Sequence, residues 1–144
     1  MFDVTTGTLT FEHPPVSIKP SLTRDEFLAG PLAVGAQTHV GNEPYHSWKL
    51  GQPFRSSGLD LLVVLWFHHQ RLTMVSLMDA NPRFGVSWDD YSLDKELARK
   101  ASHDAWLLRS LPPEREYPWG NVWSGYDDKG GFSSIVVRYG CAGN

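Results

Sequence analysis

The segment 59–67 is apolar on both faces of a predicted β-strand and is the clearest hydrophobic pattern in the chain. Its odd-numbered residues line one face, whereas Leu62, Val64 and Trp66 line the other. Because a strand that is apolar on both faces must be covered on both, the pattern predicts a central strand with Trp66 in the core. The alternating residues 72–78 follow a polar turn at residues 68–71 and predict its antiparallel partner.

A second pattern, with apolar residues at steps of four and three, predicts one long helix. Ser92 is a favourable N-cap, and Pro112-Pro113 would end the helix near Leu111. The predicted apolar face consists of Leu93, Leu97, Ala101, Ala105 and Leu108. We expect this face to pack on the sheet, with Glu96 and Lys100 forming an i,i+4 ion pair on the other side.

The N-terminal part of the chain predicts a hairpin and then a short helix. Four apolar residues that alternate with polar ones around a Thr-Thr-Gly turn define the hairpin: Phe2, Val4, Leu9 and Phe11. Pro14 and Pro15 would end it. Thr23 and Glu26 have the spacing of a capping box, which predicts a helix from Arg24 to Ala29.

The remaining segments predict further strands and so define the fold class. Strands are expected over residues 36–40 and 46–50, and a brief extended piece over residues 84–88. The C-terminal stretch predicts a hairpin that turns at Asp128-Lys129-Gly130, with a left-handed glycine after a type I turn. We therefore predict a single α+β domain over residues 1–144. It would consist of an antiparallel sheet of about five to seven strands, with one long helix packed on one face and one short helix near the N-terminus.

The composition fits a folded protein and disfavours two classes of partner. Of 144 residues 41% are hydrophobic and 20% charged, and 13 basic residues are scattered along a chain of net charge −3. With no basic face, the sequence predicts no nucleic-acid partner. The longest apolar run is too short to span a bilayer and the N-terminus lacks a signal-peptide pattern, so we expect no membrane association. The single cysteine excludes an internal disulfide and favours a cytoplasmic location.

The six histidines do not have the spacing of a metal site. His68 and His69 are adjacent and would point to opposite sides of a strand, and His103 has no ligand-type residue at i+4. We therefore predict no metal and no cofactor.

Motifs for catalysis are also absent from the sequence. There is no G-x-S-x-G elbow, and the only cysteine, Cys141, lies in a segment that we expect to be frayed. The acidic pairs Asp89-Asp90 and Asp127-Asp128 are explained by helix-end electrostatics and turn hydrogen bonds. We predict no catalytic residue; this favours a non-enzymatic protein and leaves enzymatic activity open.

Two predicted turns carry the polar and aromatic side chains that suit recognition of a partner. The first candidate group is Asn42, Glu43, Tyr45, His46 and Trp48. The second candidate group is Asp127, Asp128 and Lys129.

Four strings of the sequence, "NEPYHSWKL", "PRFGVSW", "ELARKASHDAWL" and "WGNVWSGYDDKGGFSSIVVRYG", resemble those of small single-domain bacterial proteins that include immunity proteins of interbacterial toxin systems. The resemblance implies a cytoplasmic α+β module that blocks a cognate toxin without catalysis of its own. It assigns no role to any individual residue.

The leading functional hypothesis is therefore a non-enzymatic protein-binding module, an immunity protein that inhibits a cognate toxin or effector. The alternative is a small-ligand-binding or enzymatic domain. It would have a pocket between the long helix and the sheet, lined by Trp and Tyr and completed by His or Arg. A structural subunit or homodimer paired at a sheet edge is the third possibility.

Overall fold

The computed structural model describes residues 2–111 and 115–140, which form two antiparallel sheets and two α-helices. The small sheet contains β1 (Leu9–Glu12) and β2 (Pro15–Ile18). The large sheet contains β3 (Gln37–Asn42), β4 (Tyr45–Lys49), β5 (Phe54–Ser56), β6 (Leu59–His68), β7 (Arg71–Asp79), β8 (Glu116–Tyr117), β9 (Gly120–Asp127) and β10 (Phe132–Tyr139). The helices are α1 (Arg24–Ala29) and α2 (Leu93–Leu108), with 3-10 turns at Pro31–Ala33, Pro82–Phe84 and Trp88–Asp90.

The large sheet has eight strands in the order β3-β4-β6-β7-β10-β9-β8, with β5 paired to β6 beside this path. The α+β class is confirmed, but the sheet is larger than the predicted five to seven strands. Two of its strands, β5 and β8, are only three and two residues long. Such short strands leave no alternating pattern in the sequence, which is why they were not predicted.

The N-terminal hairpin differs from the predicted one. β1 pairs with β2 across a cis His13-Pro14 bond, so Pro14 lies in the turn and Pro15 begins the second strand. The predicted strand around Phe2 is reduced to an isolated bridge with Leu9. Pro15 is tolerated because β2 is an edge strand, where the missing N–H breaks no hydrogen bond of a sheet interior.

The helix α1 has the predicted bounds. Thr23 Oγ1 accepts a hydrogen bond from the Glu26 N–H at 3.1 Å, and the Glu26 carboxylate accepts one from the Thr23 N–H at 2.9 Å. This capping box fixes the start of the helix. Phe27 then packs on Phe67 of β6, with ring centroids 5.8 Å apart.

The strand β6 is central, as predicted, since it pairs with β4 on one side and β7 on the other. Its inner residues are buried in the core: Leu61, Val63, Leu65 and Phe67. Its outer residues Leu62, Val64 and Trp66 are only half-buried. The prediction that both faces are covered, with Trp66 in the core, is therefore wrong. His39 lies edge-on to Trp66, with ring centroids 5.3 Å apart, and covers the outer face only in part.

The helix α2 begins at the predicted cap, since Ser92 Oγ accepts from the Lys95 N–H at 3.1 Å. It is rotated relative to the prediction, because all five residues of the predicted apolar face are exposed. The residues that it buries are Glu96, Arg99, His103, Trp106 and Leu107. Trp106 takes the place in the core that was predicted for aliphatic side chains, and its indole Nε1 donates to the Ser56 carbonyl at 2.9 Å.

The predicted Glu96–Lys100 pair is also replaced. Glu96 pairs with Arg99 at 2.6 Å, and Lys100 pairs with Asp104 at 2.7 Å. The helix ends at Leu108 rather than near Leu111. Pro112 and Pro113 lie outside the described residues.

Two further segments can be compared with the prediction. Residues 84–88 form no strand: one 3-10 turn ends at Phe84, another begins at Trp88, and Gly85 between them has a φ of +96°. The C-terminal hairpin is confirmed as β9 and β10, and its left-handed glycine is Gly131 (φ +75°). Among the described residues, no helix is both long and apolar enough to cross a membrane.

Candidate functional site

The two predicted recognition turns lie at opposite ends of the large sheet. The β3–β4 turn contacts the β6–β7 turn, where the His69 N–H donates to the Pro44 carbonyl at 2.8 Å. The β9–β10 turn is at the other end, because β10 starts opposite the end of β7, with Ile135 beside Leu77. The two candidate groups therefore do not form one continuous loop surface.

In the first group, Glu43 is the centre of a polar cluster. Its carboxylate lies 2.8 Å from His46 Nε2, 3.4 Å from Arg24 and 3.7 Å from His69 Nδ1. The hydrogen bond from His46, followed by the charges of His46 and Arg24, holds the pKa of Glu43 below its ordinary value. Asn42 is exposed beside this cluster.

The aromatic residues of the first group point in different directions. Tyr45 is exposed and lies edge-on to His68, with ring centroids 5.2 Å apart. Trp48 is half-buried and packs on Phe27 and Phe67 at 5.3 and 5.9 Å, so its ring belongs to the inner layer. Only Tyr45 of this aromatic pair is available at the surface.

In the second group, Asp127 shapes its own turn, as predicted. Its Oδ1 accepts from the Lys129 N–H at 2.9 Å, and its carbonyl accepts from the Gly131 N–H at 2.7 Å. Asp128 and Lys129 are exposed at the tip of the hairpin. Within the described part of the chain, no carboxylate or base pairs with either side chain.

The surface between the two groups is the uncovered face of the sheet, which we call the outer sheet face. It consists of Leu62, Val64, Trp66, Met74, Ser76, Met78, Trp123, Ser134 and Val136. Most of these side chains are apolar and half-buried, and Trp123 is 42% exposed. The sequence pattern identifies part of this face through Leu62, Val64 and Trp66, but it predicts a second layer over them.

A depression of about 440 Å³ lies on the outer sheet face. The small side chains of Ser76, Ser134 and Val136 lie between the larger ones of Met74, Trp123 and Phe132. Asp127, Asp128 and Arg138 also line it, so the two aspartates of the second candidate group form one edge of this depression.

A glycine allows the Trp123 ring to lie against the sheet. Gly125, two residues along β9, is buried directly beneath the ring, and any Cβ at that position would overlap the indole. The ring is therefore supported by backbone and presents its other surface to solvent.

A second depression, of about 410 Å³, lies where α2 meets the end of the sheet and extends to Leu62 and Met78 of the outer sheet face. Trp88, Tyr91 and Phe132 line it together with Arg99 and Glu96. This arrangement has the aromatic and arginine groups that were expected of a ligand pocket, and we call it the α2 cleft.

The polar groups of the α2 cleft are mostly paired with one another. Arg99, 5% exposed, donates to Glu96 at 2.6 Å and to the Gly85 carbonyl at 2.7 Å. Its Nε is buried and has no hydrogen-bond partner among the described residues. The hydroxyls of Tyr91 and Tyr126 are 2.7 Å apart, and this bond is the largest contribution that raises the pKa of Tyr126 to about 12.

His103 is buried, and its imidazole forms a hydrogen bond with the backbone of the sheet. Its Nε2 accepts from the Asp79 N–H at 2.8 Å, so the ring is neutral with its proton on Nδ1. Burial lowers the pKa of His103 to about 4. Over the described residues, no three His, Cys, Asp or Glu side chains are grouped closely enough to hold a metal ion. Cys141 lies outside the described residues.

Comparison with known proteins gave no relative on which to base a function. No protein-family model matches this chain, and neither a curated protein nor a solved structure matches it significantly.

Proposed function

We propose that the protein is a non-enzymatic protein-binding module of the immunity type, which inhibits a cognate toxin or effector through its outer sheet face. The observation that carries this proposal is the apolar outer sheet face, whose apolar residues stay half-buried or exposed although most belong to central strands. Contiguous exposed apolar surface on a folded protein marks sites of interaction.

The composition of the outer sheet face fits a protein interface. Its centre contains Trp66, Met74 and Trp123, and aromatic residues and methionine are enriched where proteins bind one another. The two candidate turn groups form polar ends, with Tyr45 at one end and Asp127, Asp128 and Lys129 at the other. An apolar centre with a polar rim is the usual anatomy of such a surface.

The centre of the face can be buried at little cost in lost hydrogen bonds. The Trp66 Nε1 already donates to Ser76 Oγ at 3.1 Å, and the Thr73 hydroxyl donates to the Trp66 carbonyl at 3.2 Å. A partner that covers these groups with apolar atoms leaves neither donor unpaired. The sheet is also rigid, so little conformational entropy is lost on binding.

The expected partner is a protein with an apolar patch and a basic group beside it. The chain has a net charge of −3, and the exposed Asp128 at the end of the depression has no ion-pair partner among the described residues. A basic group on the partner would therefore gain a contact there and help to set its orientation.

The test compares two exposed apolar positions on opposite sides of the molecule. Tagged wild-type protein, Trp123→Asp and the control Leu28→Asp, whose leucine is 48% exposed on α1, are expressed in the source organism. We expect one stoichiometric partner with the wild type and the control, and its loss with Trp123→Asp. We also expect that the purified partner inhibits growth and that co-expression of this chain relieves the inhibition. Recovery of no stoichiometric partner, or its retention by Trp123→Asp, contradicts the proposal.

The α2 cleft supports a second candidate function, binding of a small aromatic ligand. Its volume of about 410 Å³ falls in the usual range of ligand pockets, and its walls carry Trp88, Tyr91 and Phe132. A fragment screen by NMR tests it. Shifts confined to the Trp88 indole and its neighbours would favour this candidate, whereas no saturable shift at that indole would exclude it.

A further inference from the structure

The exposed side of α2 carries an apolar stripe that the fold leaves uncovered. It consists of Leu93, Leu97, Ala101, Ala105 and Leu108, and we call it the α2 stripe. Leu97 is 46% and Leu108 58% exposed. α2 is held on the sheet by its other side, so nothing in the described part of the chain requires leucines at these positions.

A groove runs along the same side of the helix. It has a volume of about 790 Å³ and is lined by Leu59, Arg83, Phe84, Asp94, Lys95, Ala98, Ala101, Ser102, Ala105 and Arg109. Ala101 and Ala105 belong both to this groove and to the α2 stripe. The leucines of the stripe therefore form a ridge beside a groove that has small residues along its floor.

The order of side chains along the α2 stripe suits antiparallel pairing with an identical helix. Leucines occupy both ends and Ala101 lies near the middle. If a two-fold axis passes through Ala101, Leu97 of one copy lies against Ala105 of the other, so that a large side chain meets a small one twice. Two-fold pairing uses the same surface on both copies, so one ridge and one groove suffice.

The charges at the ends of the stripe are complementary in the same arrangement. Asp94 in the first turn and Arg109 just past the last turn are both exposed, and neither forms an ion pair among the described residues. Antiparallel pairing brings Asp94 of each copy near Arg109 of the other. Parallel pairing would instead place like charges together.

From these observations we propose that the chain forms a homodimer through the α2 stripe, with the two α2 helices antiparallel and Ala101 at the axis. This inference is independent of the proposed function. Because α2 covers the inner side of the sheet, the dimer would leave both outer sheet faces free to bind a partner.

The size of the surface predicts a dimer that dissociates on dilution. From Leu93 to Leu108 the helix is about 22 Å long, at a rise of about 1.5 Å per residue. A specific interface needs a total buried area of roughly 1,000 Å² or more, so the groove wall formed by Leu59 and the exposed Arg83 has to contribute.

Sedimentation velocity over a wide concentration range tests the dimer. We expect the wild type and Leu28→Asp to move from monomer to dimer as concentration rises, and Leu97→Asp to stay monomeric. Both leucines are similarly exposed, so the two variants should keep the fold, which circular dichroism checks. A monomeric wild type, or a dimer that survives Leu97→Asp and is lost in Trp123→Asp, overturns the inference.

Disulfide trapping tests the position of the axis. In a Cys141→Ser background, Ala101→Cys should form a cross-linked dimer under mild oxidation, whereas the exposed control Lys19→Cys should not.

Charge reversal tests the antiparallel orientation of the two helices. Asp94→Arg and Arg109→Asp should each weaken the dimer, and the double variant should restore it. Equal cross-linking at both cysteines, or no recovery in the double variant, contradicts the proposed geometry.

Discussion

The carboxylate of Glu96 on α2 accepts a hydrogen bond from the Ser133 N–H of β10 at 2.8 Å, and the Ser133 hydroxyl donates to the Glu96 carbonyl at 2.6 Å. Helix and sheet are therefore joined twice at one buried point. The other Glu96 oxygen accepts from Arg99 at 2.6 Å. These buried hydrogen bonds of Glu96 explain why α2 places its charged residues Glu96 and Arg99 on the inner side and its leucines on the outer side.

The first prediction compares a buried charge with an exposed leucine on the same helix. Arg99→Ala leaves Glu96 buried without its ion-pair partner, and we expect a loss of about 3 kcal/mol in the free energy of unfolding. Leu97→Ala should change it by less than about 0.5 kcal/mol, because Leu97 is exposed. Urea denaturation of the monomer at low protein concentration measures both. A larger loss of unfolding free energy for Leu97→Ala than for Arg99→Ala would mean that α2 packs as the sequence pattern predicts.

The second prediction concerns the pH dependence of stability. Burial lowers the pKa of His103 from 6.5 to about 4, against the opposing charge of Asp79. The unfolded chain therefore binds a proton at a higher pH than the folded protein. Neutral His103 therefore makes its full contribution to the free energy of unfolding above pH 6.5. This free energy falls by about 3 kcal/mol as the pH drops towards 4, and His103 causes no further change below that pH.

The control for this prediction is His103→Gln, whose amide oxygen can still accept from the Asp79 N–H. Urea denaturation of both proteins at a series of pH values gives the two slopes. We expect the variant to lack the loss between pH 6.5 and 4 that the wild type shows. Equal slopes in this range would refute the assignment to His103.

The third prediction tests how Trp123 lies on the outer sheet face. A methyl group at position 125 overlaps the indole, so Gly125→Ala should displace the ring from the sheet while the fold is kept. The NMR signals of the Trp123 indole and of Ser134 should shift, and partner binding should weaken. In a Trp123→Ala background the same substitution should have little further effect. An unmoved indole signal in the single variant would show that the ring lies elsewhere.

The parts of the fold that could be predicted are those fixed by short sequence patterns, namely helix caps and runs of apolar residues. The capping box at Thr23 and Glu26 fixes α1, and the run of residues 59–67 that is apolar on both faces identifies β6 and its place inside the sheet. The buried face of α2 could not be predicted in this way. Glu96 and Arg99 are tolerated in the interior only because each has a partner there, and a hydrophobic pattern contains no information on such pairing.

The candidate site was predictable only at its ends. Turn residues such as Tyr45 and Asp128 are exposed as expected, because loops lie on the surface. The outer sheet face between them was not predicted, because the rule that a doubly apolar strand is covered on both faces assumes that the chain covers it by itself. A partner protein can supply the missing layer.

Site-specific photo-cross-linking in the source organism tests the role of the outer sheet face most directly. A photoreactive amino acid is placed at Trp123 in one variant and at Leu28 in another. We predict a single cross-linked partner protein from position 123 and none from position 28. No cross-link at position 123, or the same cross-linked protein from position 28, would show that the partner does not bind this face.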